Sequence, residues 1–94
     1  MKRYLVELDP VKHLFYKDLP IQIVQKLLFW AKRIEMVGLN ETRKIPGFHD
    51  EPLKGDRAKQ RSIRLNKSYR AFYEVEEDEK IITVIVVEVN KHEY

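Results

Sequence analysis

The sequence predicts an α+β fold, in which two N-terminal helices pack on a mainly antiparallel sheet of about four strands. Three observations support this. Apolar residues recur at helical spacing between Ile21 and Val37. Three segments rich in Val, Ile and aromatic residues follow residue 60, with short polar turns between them. The chain has 94 residues, of which 44% are hydrophobic, as expected of one folded domain spanning 1–94.

Proline delimits the N-terminal elements. Arg3–Leu8 alternates weakly between polar and apolar residues and predicts a first strand, which ends at Asp9-Pro10. Val11–Lys17 is long enough for a short helix. Asp18 stands where the N-cap of the next helix is expected, with Pro20 in the first turn of that helix.

The segment Ile21–Val37 predicts a long amphipathic helix. Its apolar stripe consists of Ile23, Leu27, Trp30 and Ile34, widened by Val24, Leu28, Ala31 and Val37. Gly38 follows, which is typical of the residue just after a helix. Prolines and glycines then interrupt the chain, so Leu39–Gly55 is predicted to be a surface loop.

Three strands are predicted in the C-terminal part, at Arg61–Asn66, Tyr69–Glu76 and Lys80–Val89. The turns between them are short enough for antiparallel hairpins. Because side chains alternate between the faces of a sheet, one face is expected to collect the odd-numbered residues Ile63, Leu65, Tyr69, Ala71, Tyr73, Val75, Ile81, Thr83, Ile85, Val87 and Val89, and to meet the long helix. The opposite face is expected to carry Arg64, Arg70, Phe72, Glu74, Glu88, His92 and Tyr94.

Positive charge is concentrated between Arg43 and Arg70. This segment holds nine basic residues and three acidic ones, whereas the whole chain has a net charge of only +3. Such segregation is typical of a surface that faces a polyanion, most plausibly the phosphates of RNA or DNA. The candidate RNA-binding residues are Lys54, Arg57, Lys59, Arg61 and Lys67.

Composition argues against several other classes of protein. The chain has no cysteine, so it cannot form disulfides or a Cys-ligated zinc site. Its histidines, at 13, 49 and 92, lack metal-ligand spacing, so we expect no metal and no cofactor. No apolar run is long enough to span a membrane, and the N-terminus lacks the pattern of a signal peptide. A cytoplasmic location is therefore expected.

The polar face of the sheet carries groups suited to RNA cleavage without a metal. Arg64 and Arg70 can hold a phosphate, and a histidine such as His92 can transfer a proton near neutral pH. Cleavage needs a base for the 2′-OH, cations for the pentavalent phosphorane and an acid for the leaving 5′-oxygen. Phe72 and Tyr94 offer aromatic rings on which bases can stack.

Several segments resemble the RelE/ParE superfamily of toxin–antitoxin toxins, and most closely its HigB-like and RelE-like mRNA interferases. They are LKGDR at Leu53–Arg57, RSIRLN at Arg61–Asn66, YRAFY at Tyr69–Tyr73 and the terminal VNKHEY. The order of strand, two helices and three antiparallel strands also matches. The resemblance implies a small microbial-RNase-like domain. It further implies ribosome-dependent cleavage of mRNA, inhibited by a cognate antitoxin.

The resemblance also implies roles for individual residues. Lys54 matches a lysine that RelE-like members use on RNA, and Arg64 and Arg70 match strand arginines. His49 lies near the position of a HigB-like histidine, two residues further from the PLKG segment, with Asp50 and Glu51 between. The terminal His92-Glu93-Tyr94 holds, in altered order, the residue types that end HigB-like toxins. His92, or else His49 or Glu51, is the candidate for the 2′-OH proton, and Tyr94 for stacking or for protonating the leaving oxygen.

Two other functions fit the same sequence. A ParE-like toxin of this fold would inhibit DNA gyrase by binding, without hydrolysis. A non-catalytic RNA-binding or ribosome-binding module would use the basic residues but not the histidines. The set His49, Arg64, Arg70, His92 and Tyr94 favours the nuclease, because a protein that only binds needs no proton-transfer groups.

Overall fold

The structure, a computed structural model, describes residues 2–9 and 18–91. Two helices and five strands occur in this part of the chain: β1 (Arg3–Leu8), α1 (Ile21–Val37), α2 (Leu39–Arg43), β2 (Glu51–Pro52), β3 (Arg61–Arg64), β4 (Tyr69–Glu77) and β5 (Ile81–Lys91). Two single 3₁₀ turns lie at Pro46–Phe48 and Gly55–Arg57. The helix predicted at Val11–Lys17 falls outside the described residues.

The strands form one sheet in the order β1-β5-β4-β3-β2. The pairs β2–β3, β3–β4 and β4–β5 are antiparallel, and β1 runs parallel to β5. The predicted α+β fold with a mainly antiparallel sheet is therefore confirmed. The sheet has a fifth strand because Glu51 and Pro52 pair with Ser62 and Arg61 at one edge.

Helix α1 supplies one side of the core. Its predicted stripe of Ile23, Leu27, Trp30 and Ile34 is buried. The Trp30 ring lies 5.2 Å from the ring of Tyr73 on β4, measured between centroids. The predicted widening of the stripe is wrong at Leu28 and Val37, whose exposed fractions are 57% and 40%. Leu28 lies on the far side of the helix from Trp30, as 3.6 residues per turn requires.

The two ends of α1 are set by backbone geometry. The predicted N-cap at Asp18 is wrong, because the cap is Pro20, whose carbonyl accepts hydrogen bonds from the amides of Ile23 and Val24. Gly38 ends the helix as predicted, with φ of 87° and its amide bonded to the Ile34 carbonyl at 2.8 Å. A Cβ at this position would lie 3.0 Å from the Tyr4 ring, so a side chain there would meet both strain and crowding.

The predicted loop over Leu39–Gly55 is wrong at its start. Helix α2 occupies Leu39–Arg43 and buries Leu39 and Thr42. The Thr42 hydroxyl donates to the Gly38 carbonyl at 2.8 Å and the Thr42 amide donates to the same oxygen. These local bonds hold a turn of helix that the sequence pattern does not reveal, since five residues are too few to show a period.

A β-bulge changes which residues of β5 face the core. Phe72 pairs with Glu88, but the next residue, Tyr73, pairs with Val86, so Val87 is the extra residue. Beyond the bulge the core side chains are Val84 and Val86, both fully buried. The predicted core assignment is therefore wrong for Ile81, Thr83, Ile85 and Val87. It holds for Val89, which lies on the C-terminal side of the bulge.

Neither of the helices in the described parts of the chain is long and apolar enough to cross a membrane.

Candidate nucleic-acid interface

The candidate site lies on the outer face of the sheet, the face turned away from α1. Strands β3 and β4 place their even-numbered side chains there, with Ser62 opposite Phe72 and Arg64 opposite Arg70. The alternate residues Ile63 and Ala71 point inward and are fully buried. Burial of these two residues fixes the register, because a slip by one residue would move the arginines into the core.

Arg70 is held in place by two neighbours. Its Nη2 atom donates to the Ser62 hydroxyl at 2.8 Å and to the Glu51 carboxylate at 3.0 Å. The Arg70 side chain is 19% exposed and that of Glu51 is 62% exposed. The guanidinium therefore has a defined position, while the carboxylate beside it remains accessible to a substrate.

Arg64 is a cation without an ion-pair partner among residues 2–9 and 18–91. It pairs with Arg70 across the hairpin, and within the described residues it makes no hydrogen bond or ion pair. Two acids predicted on the same face are engaged elsewhere, since Glu74 accepts from Gln60 and Glu88 accepts from Arg57. Two arginines side by side, one of them in contact with the Glu51 carboxylate, suit an anion with several oxygens, such as a phosphate.

Arg57 covers the aromatic ring that was expected to stack with bases. Its guanidinium lies 4.3 Å from the centroid of Phe72, and its Nη2 atom donates to Glu88 at 3.1 Å. A nucleobase could reach this face of the ring only if Arg57 moved. Because Arg57 lies on the Phe72 ring as well as pairing with Glu88, it is a weaker candidate for phosphate binding than the sequence indicates.

A buried polar cluster fixes the segment that carries Glu51. The Asp50 side chain is only 1% exposed and accepts hydrogen bonds from Arg61 Nε at 2.6 Å and from the Tyr73 hydroxyl. Burial, together with the bond to Asp50, raises the pKa of Tyr73 to about 12. Arg43 Nε donates to the Tyr73 hydroxyl at 3.4 Å. Arg61, predicted to bind RNA, thus shares the inner side of the sheet with Tyr73, and we leave it out of the RNA surface.

The three other predicted RNA-binding residues are exposed lysines. They are Lys54, Lys59 and Lys67, and none of them forms an ion pair within residues 2–9 and 18–91. Lys54 immediately precedes the 3₁₀ turn at Gly55–Arg57, and Lys67 lies in the β3–β4 turn. In that turn the Asn66 carboxamide accepts from the amides of Ser68 and Tyr69. The lysines therefore stand on ordered loops.

The candidate proton-transfer groups are placed unequally. Glu51 lies on the outer face of the sheet, in contact with Arg70. His49 is exposed and has a left-handed backbone with φ of 45°. Its amide donates to the Pro46 carbonyl at 3.1 Å, whereas its imidazole makes no hydrogen bond to the described residues. His92 and Tyr94 lie outside the described residues and stay predictions. Strand β5 pairs Asn90 with Arg70, so the C-terminal end of β5 lies beside Arg70.

Two residues of this region carry no role in the sequence-based prediction. Ser62 could have been found, because the alternation that places Arg64 on the outer face places Ser62 there too. Asp50 could not, because its partners Arg61 and Tyr73 lie 11 and 23 residues further along the chain. A contact of that kind follows only from the folded topology.

The comparisons with known proteins agree with this architecture. No family model and no curated protein sequence matches the chain. Solved structures do match: a YoeB/ParE toxin from Agrobacterium tumefaciens is 20% identical with a TM-score of 0.65, and the match covers 99% of this chain and 100% of that one. The RelBE2 toxin–antitoxin complex from Mycobacterium tuberculosis is 19% identical with a TM-score of 0.67, covering 96% and 99%.

A third similar structure is the YoeB–YefM complex from Staphylococcus aureus, with 20% identity, a TM-score of 0.62 and coverage of 97% and 99%. These matches extend over nearly the whole length of both chains. Similarity at this level of identity concerns the fold. The chain therefore has the fold of the RelE/ParE superfamily of toxins, as its sequence motifs predict.

Proposed function

We propose that this protein is the toxin of a type II toxin–antitoxin system and a metal-independent endoribonuclease that cleaves mRNA on the ribosome in the cytoplasm. The observation that carries the proposal is the group Glu51, Arg70 and Arg64 on the outer face of the sheet. It combines a carboxylate that can accept a proton with two cations that can hold a phosphate. A protein that only bound RNA would need the cations but not the carboxylate beside them.

The proposed reaction is an internal transfer of the phosphoryl group. The 2′-oxygen of the ribose attacks the adjacent phosphorus, and its proton passes to His92, or else to His49 or Glu51. Arg64 and Arg70 hold the phosphate oxygens as negative charge develops on them. The bond to the 5′-oxygen then breaks, and Tyr94 or His92 supplies a proton to that oxygen. The products are a 2′,3′-cyclic phosphate and a free 5′-hydroxyl.

Substrate binding is assigned to the lysines around this group. Lys54, Lys59 and Lys67 are exposed on the loops before and after β3 and would contact phosphates on either side of the scissile one. Phosphate contacts of this kind position the substrate without selecting its sequence. Selection of mRNA would then come from the ribosome, which presents the single strand in an extended form.

The proposed regulator is a cognate antitoxin. Two of the similar structures are toxin–antitoxin complexes, RelBE2 and YoeB–YefM. An acidic segment of an antitoxin would be attracted to the surface that holds Arg64 and Arg70, and would compete there with RNA.

The test is to express the protein alone in bacteria and to map the 3′ ends of cellular mRNA. We expect growth arrest, cleavage within translated reading frames and 2′,3′-cyclic phosphate ends. Growth arrest with gyrase-linked DNA breaks and intact mRNA would instead support the ParE-like inhibitor. RNA or ribosome binding without cleavage or arrest would support the non-catalytic module.

A further inference from the structure

Arg57 is fixed over an aromatic ring on the outer face of the sheet. Its guanidinium carbon lies 4.3 Å from the centroid of the Phe72 ring. Its Nε atom donates to the Gln60 side chain at 2.8 Å, and its Nη2 atom donates to Glu88 at 3.1 Å. Contacts to three different residues thus define the position of one cation, whose side chain is still 40% exposed.

The residues that hold Arg57 belong to a polar network around Phe72. Gln60 donates through its Nε2 atom to Glu74 at 3.3 Å, and Glu74 follows Phe72 by two residues on the same face of β4. Glu88 lies opposite Phe72 on β5. The guanidinium is therefore held from two sides of the ring, whereas a single ion pair would fix a partly exposed side chain poorly.

The core of the domain does not require this arrangement. The 3₁₀ turn Gly55–Arg57 buries none of its residues. Backbone bonds close the loop, since the Gln60 amide donates to the Arg57 carbonyl at 2.8 Å and the Leu53 amide donates to the Gln60 carbonyl at 3.0 Å. An aliphatic side chain would also cover the Phe72 ring, so packing alone does not explain a guanidinium here.

The geometry suits a flat ring better than a phosphate. A guanidinium binds phosphate through the N–H donors at its edge, and the donors on Nε and Nη2 of Arg57 already bond to Gln60 and Glu88. Because Phe72 lies on one face of the planar group, the surface left for a ligand is the opposite face. Nucleobases stack on guanidinium planes as they do on aromatic side chains.

This position lies beside the arginine pair. Phe72 follows Arg70 by two residues on the same face of β4, a separation of about 7 Å along a strand. The Arg70 guanidinium donates to Ser62, the residue that pairs with Phe72 on β3. A base over Arg57 would therefore lie within one nucleotide of a phosphate held by Arg70.

We infer that the outward face of the Arg57 guanidinium binds the base of a nucleotide next to the scissile phosphate, in a stack of base, guanidinium and Phe72 ring. Phe72, predicted to stack with bases itself, supports Arg57 instead. Gln60 and Glu88 hold the guanidinium in place from its edge. The inference rests on the proposed function for its substrate, single-stranded RNA.

The experiment separates a contact to a base from a contact to the backbone of the nucleic acid. The probe is a single-stranded DNA hexamer, which lacks the 2′-hydroxyls that the proposed cleavage needs. One abasic residue is moved through its six positions, and fluorescence anisotropy gives each affinity. We expect that, at one position, loss of the base weakens binding to wild type by about tenfold.

Two variants of Arg57 should abolish this difference between the intact and the abasic hexamer. Arg57→Ala removes the stacking plane, and Arg57→Lys removes the plane but keeps the charge. For Arg57→Lys, the salt dependence of binding to the abasic hexamer should therefore match that of wild type. Arg33→Lys changes an exposed arginine of α1 in the same way and is the matched control, so it should keep the tenfold difference.

Three outcomes would overturn the inference. The folded wild type could fail to bind the hexamer, or it could bind with no loss at any abasic position. The difference could also persist in Arg57→Ala, which would show that Phe72 itself stacks with the base. Thermal melts establish that each variant is folded.

The nuclease activity is judged separately, by cleavage of mRNA. Cleavage by a wild-type protein that shows no loss at any abasic position would overturn this inference and leave the proposed function standing. A tenfold loss that depends on Arg57, without any cleavage, would do the reverse.

Discussion

The guanidinium of Arg70 reaches across β3 and meets the carboxylate of Glu51 at 3.0 Å, although their strands, β4 and β2, are not neighbours. The Arg70 Nη2 atom that meets this carboxylate also donates to the Ser62 hydroxyl on β3, at 2.8 Å. Strand β2 has only two residues, so its pairing with β3 gives limited support to the side chain of Glu51. The contact with Arg70 therefore helps to hold a candidate base beside the arginine pair.

Glu51→Gln should lower the rate of mRNA cleavage by about 10²–10⁴, the usual effect of losing a general base. Stability should hardly change, because an ion pair with an exposed partner contributes little to it. The measurement is single-turnover cleavage together with a thermal melt. Glu41→Gln is the matched control, since Glu41 is an exposed acid paired with Lys44 on α2. Equal rates for wild type and Glu51→Gln would remove Glu51 from the mechanism and leave His92 or His49 as the base.

Lys54→Ala should weaken RNA binding and lower the slope of log affinity against log salt by about one unit, as expected when one phosphate contact is lost. Arg57→Ala should have a smaller effect on this slope, because Glu88 already pairs with its guanidinium. Fluorescence anisotropy at several salt concentrations gives both slopes. Lys80→Ala, at the β4–β5 turn, is the control. If Lys80→Ala lowered the slope as much as Lys54→Ala does, the slope would report the net charge of the protein and not a particular contact.

Two adjacent leucines of α1 should differ sharply in their contribution to stability. Leu27 is 4% exposed, so Leu27→Ala should lower the free energy of unfolding by roughly 2–5 kcal/mol. Leu28 is 57% exposed, so Leu28→Ala should change it by less than about 0.5 kcal/mol. Urea titration of both variants is the measurement. Similar losses at both positions would mean that the wrong face of α1 has been assigned to the core.

Tyr73 should make stability depend on pH in the alkaline range. Its pKa is raised from 10.0 to about 12 in the folded protein by burial and by the bond to Asp50. The unfolded chain therefore loses the proton first, and stability falls as the pH rises from 10 to 12, by about 3 kcal/mol at most. Below pH 10 this contribution is fully present.

The variant Tyr73→Phe isolates this effect, because it removes the hydroxyl and keeps the ring. We expect the stability of wild type to fall more steeply than that of Tyr73→Phe between pH 10 and 12, measured by urea titration at each pH. Parallel curves would show that the Tyr73 hydroxyl has an ordinary pKa in the folded protein.

The sequence predicts those elements whose hydrophobic period is long or whose ends are marked. The buried face of α1 follows from the helical spacing of Ile23, Leu27, Trp30 and Ile34, and Gly38 marks the end of the helix. The alternation in β3 and β4 correctly places Arg64 and Arg70 together on one face. These predictions succeed because each depends on residues close together in the chain, where spacing alone decides direction.

The sequence does not predict features that depend on distant partners. The bulge after Phe72 leaves Val84 and Val86 in the core, yet the Val/Ile run of β5 looks the same in either register. Strand β2 exists only because Glu51 and Pro52 find β3. This pairing places Glu51 in contact with Arg70. The sequence alone therefore names both residues as candidates but does not predict the contact between them.

The most direct test of the proposed site is primer extension on an mRNA during translation in vitro, with wild type, Arg64→Ala and Lys80→Ala. Wild type and Lys80→Ala should cut the message, because Lys80 lies at the β4–β5 turn and has no role in the proposed site. Arg64→Ala should be slower by about 10²–10³, as for the loss of one donor to a developing negative charge. Cleavage by Arg64→Ala at the wild-type rate, or no cleavage by the folded wild-type protein, would contradict the account.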